Sequence, residues 1–220
     1  MSTSAPLLGL ILAGGLSRRM GDDKATLEIA GVSLLERAVA TLTQCVDQVF
    51  VSISAIQVTD ISRSCYTVIE DRFEGIGPAA GILSAHLHAP KAAWLVIACD
   101  MPLLDVSTIR RLIGSRVAAQ DATAWASADA SVPEPLCAIY EPGTLAAFLD
   151  LVNAGGDPSP RTWLAAARTH LLPEPRPEVL DGMNTREEFA LLSQRLKAQT
   201  GASARSTTTK NNDPKYNETK

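Results

Sequence analysis

Three features of the 220-residue sequence predict an α/β fold, a doubly wound and mostly parallel sheet with helices on both faces. Strand-like and helix-like segments alternate along most of the chain. Leu7–Leu12 and Trp94–Ala98 are continuous apolar runs, the pattern of strands covered on both faces of a parallel sheet. Capping boxes at Ser33–Glu36 and Thr185–Glu188 mark two helix starts.

The elements follow in order. Leu7–Leu12 is the first strand. Ser33 then opens a helix reaching about Gln44, with Leu34, Leu35, Ala38, Val39 and Leu42 on one stripe. Gln48–Ile53 and Tyr66–Ile69 are shorter β-branched or aromatic runs and read as strands. Pro78 sits at the first position of a helix through Ala89, Trp94–Ala98 is a strand, and Asp105 caps a helix through Ile113. Ala122–Ala126 and Leu136–Tyr140 add strands at one side, joined through the polar stretch Ser127–Pro135. Pro-rich Leu172–Pro177 reads as a surface connection to the last helix, from Thr185 to about Lys197. The expected organisation is an N-terminal extension over residues 1–6, one domain over 7–197 with right-handed crossovers, and a disordered basic tail over 198–220.

Composition narrows the function. With 46% apolar and 20% charged residues the chain can bury a substantial core, and collagen, coiled coil and wholesale disorder are excluded. Residues 197–220 hold five Lys or Arg and two Asp or Glu, net +3, which leaves −7 of the total −4 on the first 196. That acidic body argues against nucleic acid as a partner. The six-residue apolar run at Leu7–Leu12 has no basic residue before it, so neither a signal peptide nor a membrane span is expected. Four cysteines at wide spacing, Cys45, Cys65, Cys99 and Cys137, read as reduced thiols of a cytoplasmic protein.

In an open sheet of this class ligands bind beyond the carboxyl ends of the strands, so the informative loops follow Leu12, Ile69 and Ala98. The first contains Gly14, Gly15 and Gly21 with Arg18, Arg19 and Lys24. Glycines let backbone amides approach anionic oxygens, and three cations add charge: a phosphate cradle, although neither GxxxxGK[ST] nor GxGxxG is present. The other two loops each place carboxylates after a strand, Glu70-Asp71 and Cys99-Asp100, and aspartates near a triphosphate form a hard oxygen site suited to Mg²⁺. Gly75, Gly77 and Gly81 surround the start of the Pro78 helix, where backbone can come close to a base or sugar. Asp22 and Asp23 are expected to orient the first loop or pair with its arginines. Cys99 reads as a small buried hydrophobe rather than a nucleophile, and His86, His88 and His170 lack the spacing of a zinc site.

The segment Leu12–Lys24 matches all ten specified positions of the pattern L-A-G-G-x-S-x-R-M-G-x-D-K. With Glu70-Asp71, Gly77-Pro78-Ala79-Ala80-Gly81, Cys99-Asp100-Met101-Pro102, Pro133-Glu134-Pro135-Leu136 and Met183-Asn184-Thr185, it resembles the molybdenum cofactor guanylyltransferase (MobA-type) family of nucleotidyltransferases over nearly the whole chain before the tail. The resemblance implies a Rossmann-like nucleotidyltransferase fold and transfer of GMP from Mg·GTP to the terminal phosphate of molybdopterin, releasing pyrophosphate. Onward partners would be a molybdoenzyme or a cofactor-insertion protein. It also implies nucleotide contacts at Leu12, Ala13, Gly14, Gly15, Arg18, Lys24, Ser52, Asp71, Gly77, Gly81 and Asp100, magnesium at Asp100 and Asp71, and a catalytic set of Lys24, Arg19 and Asp100. Gly14-Gly15 favours guanine, because the related cytidylyltransferases usually show Ala-Ala-Gly where this chain has Ala13-Gly14-Gly15. Two positions depart from the family pattern: Ser52 stands where an asparagine is frequent, and Asp157–Arg161 is richer in proline than the usual Gly-x-Arg-Ser stretch. The alternatives are a related enzyme using CTP or another phosphorylated acceptor such as a sugar phosphate, and a non-catalytic nucleotide-binding or cofactor-delivery module.

Overall fold

The computed structural model describes residues 4–14, 23–58, 63–127, 132–176, 178–183, 185 and 187–194. In chain order the elements are β1 (Leu7–Leu12), the small hairpin β2 (Glu28–Ile29) and β3 (Val32–Ser33), α1 (Leu34–Leu42), β4 (Val49–Ile53) and β5 (Val68–Glu70). Then come α2 (Pro78–His88), β6 (Ala93–Ala98), α3 (Val106–Gly114), β7 (Ala122–Ala126) and β8 (Pro133–Tyr140). The chain continues through α4 (Pro142–Asn153), α5 (Pro160–Ala166), β9 (Thr169–Leu172) and α6, residues 187–194. Seven strands form one sheet in the order β5-β4-β1-β6-β8-β7-β9, in which β8 alone opposes its neighbours.

Register explains the two-sided core. Leu10 pairs with Phe50 and Val96, and Ile11 with Val51 and Ile97. Successive strand residues face opposite ways. Leu10, Phe50, Trp94 and Val96 therefore pack with Ile82 of α2, Leu145 of α4 and Leu164 of α5 on one face. Ile11, Val51, Leu95 and Ile97 pack with Leu35 and Leu42 of α1 and with Ile109 and Leu112 of α3 on the other. Strand β6 lies fourth of seven and all six of its residues are buried, which is why its sequence is an unbroken apolar run.

Both capping boxes form. Ser33 Oγ accepts from Glu36 N at 3.1 Å while Ser33 N donates to Glu36 Oε2 at 2.8 Å. Thr185 and Glu188 make the same reciprocal pair at 3.0 and 3.1 Å. The expected end of that helix near Lys197, the extension over residues 1–3 and the tail lie outside the described residues.

Three expectations shift. The third strand is Val68–Glu70 rather than Tyr66–Ile69, in parallel register with Val51–Ile53. β8 begins at Pro133, three residues before the expected Leu136. Its prolines are tolerated because β6 pairs with β8 only from Cys137 onward, so residues 133–136 lack a neighbour on that side. Finally, α4, α5 and β9 occupy a stretch to which the sequence reading gives no element; both helices start with proline, after Glu141 and Ser159.

Candidate active site

From β1 the chain moves through α1 to β4 and on to β5 at one edge, and then α2 carries it back across the sheet to β6 on the far side of β1. The order thus reverses between β1 and β6, and their carboxyl ends open on a crevice of about 320 Å³. Leu12, Ala13 and Gly14 line it from β1, Gly77 and Pro78 from the start of α2, and Asp100 from the turn after β6. Gly77 has a φ of +61°, a left-handed geometry that glycine adopts without strain, and it presents the N-terminus of an eleven-residue helix to the crevice.

Lys24 completes the wall. Asp23 caps a single turn over Lys24–Thr26, its side chain accepting from Ala25 N at 3.0 Å, and Lys24 Nζ lies 2.9 Å from Asp100 Oδ2. At an effective dielectric near 20, a full charge about 4 Å from a phosphate oxygen provides roughly 4 kcal/mol of attraction before desolvation. Asp23 Oδ2 in turn accepts from Gln57 Nε2 at 2.9 Å and from Arg63. Arg63, forty positions along the chain, is brought to Asp23 by the fold; the expected pairing with Arg18 and Arg19 involves residues outside those described.

A second group lies behind Gly14. Ser52 Oγ donates to Asp71 Oδ1 at 2.6 Å, and a Cβ added to Gly14 would meet Asp71 Oδ2 at 2.9 Å. Burial raises the Asp71 carboxyl to about 6, the Ser52 hydrogen bond opposing and the Glu70 charge adding to the rise. Ser52 is buried, with its hydroxyl donated to Asp71, and is not among the residues that line the crevice. Gly81 belongs to the same group, its α-carbon face against Ser52 and Leu12.

The carboxylates expected to share a metal are also separated. β5 and β6 stand three places apart in the sheet, roughly 14 Å at about 4.8 Å per strand, and Asp71 does not line the crevice that holds Asp100. Each aspartate thus has its own surroundings, Asp71 behind Gly14 and beside Ser52, Asp100 against Lys24 in the crevice wall. Among the described residues no group of three His, Cys, Asp or Glu could hold a metal. Among the described residues that line the crevice, Asp100 is a carboxylate that could hold a hard divalent ion such as Mg²⁺, which takes one or two carboxylates and fills its remaining positions with phosphate oxygens and water. Gly182 packs against this carboxylate, where a Cβ would stand 3.4 Å from Asp100 Oδ1. Gly15, Arg18 and Arg19 lie outside the described residues.

Beyond Asp100 is a second cavity of about 550 Å³, its rim carrying Glu134, Glu178, Asp181 and Glu188. Met183 N donates to Asp100 O at 2.9 Å and fixes the boundary between the two. That acidic rim would repel polyphosphate, whereas Lys24 brings a positive charge to the crevice on the other side. Cys99 is buried beside Asp100 with its thiol pushed up to about 12, by burial first and then by the Asp100 and Asp23 charges. A neutral thiol of this kind is no nucleophile.

Residues 9–171 match the MobA-like NTP transferase domain family. The chain is 37% identical over 155 residues to a molybdenum cofactor biosynthesis bifunctional protein of Synechocystis sp., covering 70% of this chain and 44% of that one. It therefore spans less than half of that relative's length. It is 30% identical over 148 residues to a molybdenum cofactor guanylyltransferase of Shewanella sp., covering 66% of this chain and 74% of the relative. Among solved structures, molybdopterin-guanine dinucleotide biosynthesis protein A from Archaeoglobus fulgidus superposes with a TM-score of 0.72 over 87% of this chain and 99% of its own, at 21% identity, a likeness of fold. Glycine-bearing strand end, lysine and aspartate around one crevice, on a fold and a sequence of this kind, mean that the chain belongs to the MobA-like NTP transferase family and is a nucleotidyltransferase.

Proposed function

We propose that the protein transfers GMP from Mg·GTP to the terminal phosphate of molybdopterin, forming the guanine dinucleotide cofactor and pyrophosphate. The observation that carries this reading is the Lys24–Asp100 pair at 2.9 Å on the wall opposite the Leu12–Gly14 backbone. The Leu12–Gly14 end of β1 and Gly77 accept the nucleoside by close backbone approach. Lys24 binds the phosphates and stabilises charge on the α-phosphoryl group, and Arg18 and Arg19 hold the departing pyrophosphate. Asp100 holds the magnesium ion, which supplies charge neutralisation on the phosphates. An oxygen of the acceptor phosphate attacks the α-phosphorus as the bond to the β-phosphate oxygen breaks. That oxygen is already anionic at neutral pH, so alignment and charge stabilisation suffice and no general base is needed. Asp71, anchored by Ser52 directly behind Gly14, serves the nucleotide rather than the metal. The names carried by the relatives support the same substrates.

The same proposal has the protein act in the cytoplasm and pass its product to a molybdoenzyme or a cofactor-insertion protein. No helix among the described residues is long and apolar enough to cross a membrane. Incubation with Mg·GTP and molybdopterin tests the proposal: guanine dinucleotide and stoichiometric pyrophosphate are expected. Product from CTP and not GTP would transfer the base assignment, and product only with a sugar phosphate the acceptor assignment. No pyrophosphate from any pairing would leave a nucleotide-binding module.

A further inference from the structure

Arg63 is among the largest fully enclosed side chains of the protein, 2% exposed, on the connection between β4 and β5. A buried guanidinium needs a counter-charge, and the carboxylate of Asp23 supplies one. The same Asp23 oxygen accepts from Gln57 Nε2 at 2.9 Å, and Gln57, also buried, is itself fixed by Ser54, whose N and Oγ donate to Gln57 Oε1 at 3.1 and 2.9 Å. The other Asp23 oxygen accepts from Ala25 N and thereby shapes the turn that starts at Lys24. A continuous path of hydrogen bonds thus runs from the β4–β5 connection to Ala25 N, in the turn that carries Lys24.

We infer that Arg63 and Gln57 are positioning residues, a clamp that fixes Asp23 and through it holds Lys24 against Asp100 in the crevice wall. Neither lines the crevice; Arg63 acts through Asp23, and Gln57 acts through Asp23 and also holds Ala13 O, to which its Nε2 donates at 3.5 Å. This rests on the reading of Lys24 as a phosphate ligand. It goes beyond that reading by assigning the β4–β5 connection a part in phosphate binding. An arginine suits the role better than a lysine, because a planar guanidinium holds a carboxylate in one orientation.

The test is competitive amine labelling of the full-length protein, comparing Lys24 with the exposed Lys91 by mass spectrometry, beside calorimetric titration with Mg·GTP. In the wild type, Lys24 should label several-fold more slowly than Lys91. In Arg63→Met, and in Gln57→Leu should the first variant fail to fold, the Lys24:Lys91 ratio should rise several-fold, and Arg63→Lys should bring it part of the way back. Affinity for Mg·GTP should fall about tenfold in Arg63→Met, the size of one charge-assisted hydrogen bond. The loss should not add to that of Lys24→Met, because both act on one group. A lowered melting temperature with an unchanged labelling ratio in the variants would mean that Arg63 only holds the fold, and would overturn the inference. Absence of Mg·GTP binding by the wild type would defeat the nucleotide reading while the labelling ratio still decides whether the clamp exists.

Discussion

Ser52 Oγ donates to Asp71 Oδ1 at 2.6 Å only because residue 81 is glycine: a Cβ there would stand 2.2 Å from that hydroxyl and 2.7 Å from Leu12 Cδ2. The close approach lets α2 press directly on the carboxyl ends of β1 and β4. Gly81→Ala should therefore overpack the junction and cost about 1–3 kcal/mol. Urea unfolding checks this, with a lower midpoint expected at unchanged slope. Nucleotide affinity should fall too, because the displaced groups include Leu12 at the crevice. A midpoint equal to that of the wild type would mean that α2 can move away without cost.

The pH dependence of Asp71 separates stability from binding. Its carboxyl titrates near 6 in the folded chain against an ordinary value of 3.8, mainly through burial. With the folded value raised, the stabilisation it contributes is fully present below about pH 3.8 and is lost as pH rises through about 6. Asp71→Asn, which cannot ionise, should accordingly gain on the wild type in melting temperature between pH 4.5 and 7. Binding runs the other way. A nucleotide contact made by the ionised carboxylate weakens in the wild type as pH falls through 6, and the step should vanish in Asp71→Asn. Titration of the nucleotide itself is common to both proteins and cancels. A constant melting-temperature difference across this range would show that Asp71 is solvated rather than buried.

Lys24 and Asp100 neutralise one another at 2.9 Å, but their side chains are 18% and 21% exposed, so the pair sits close to water. Pairs near the surface contribute about 0–1 kcal/mol to stability. Lys24→Met and Asp100→Asn should consequently leave the melting temperature nearly unchanged while lowering kcat about 100-fold or more, the usual loss when a preorganised charge at a transition state is removed. Differential scanning calorimetry and pyrophosphate release measure the two effects. Ordinary turnover in Asp100→Asn would remove it from the metal site.

How much of this could be read beforehand depends on sequence separation. The capping boxes, the apolar run of β6 and the loop ending in Lys24 are local patterns, and they identified their elements and the crevice. The helices α4 and α5 carried a usable signal as well: Pro142 and Pro160 at first helical positions, with Leu145 and Phe148 three apart on a buried face. What no local pattern contains is partnership across strands. Ser52 meets Asp71 nineteen positions away and Asp23 meets Arg63 forty away. The distance between Asp71 and Asp100 follows from strand order, which places β4 and β1 between β5 and β6. Two aspartates with the same place in the sequence pattern, each just after a strand, thereby acquire different surroundings and different chemistry.

Four free cysteines give a final discrimination between covalent and direct transfer. Cys99 adjoins Asp100 at the floor of the crevice, the position a nucleophile would need for a covalent nucleotidyl intermediate. Its thiol is held up near 12, and thiolate is the reactive form, so almost none is present at neutral pH. Cys137 is likewise buried, whereas Cys65 is exposed and Cys45 half-buried. Iodoacetamide at pH 8 should modify Cys65 first and leave Cys99 and Cys137 intact in the folded protein, as peptide mass mapping would show. Cys99→Ala removes one sulfur from a close-packed site and should lower the melting temperature by a few degrees, with kcat within about threefold of the wild type because the proposed transfer is a direct displacement between phosphates. Loss of turnover in Cys99→Ala at intact stability, or trapping of a labelled nucleotide on that residue, would replace the direct displacement by a two-step route.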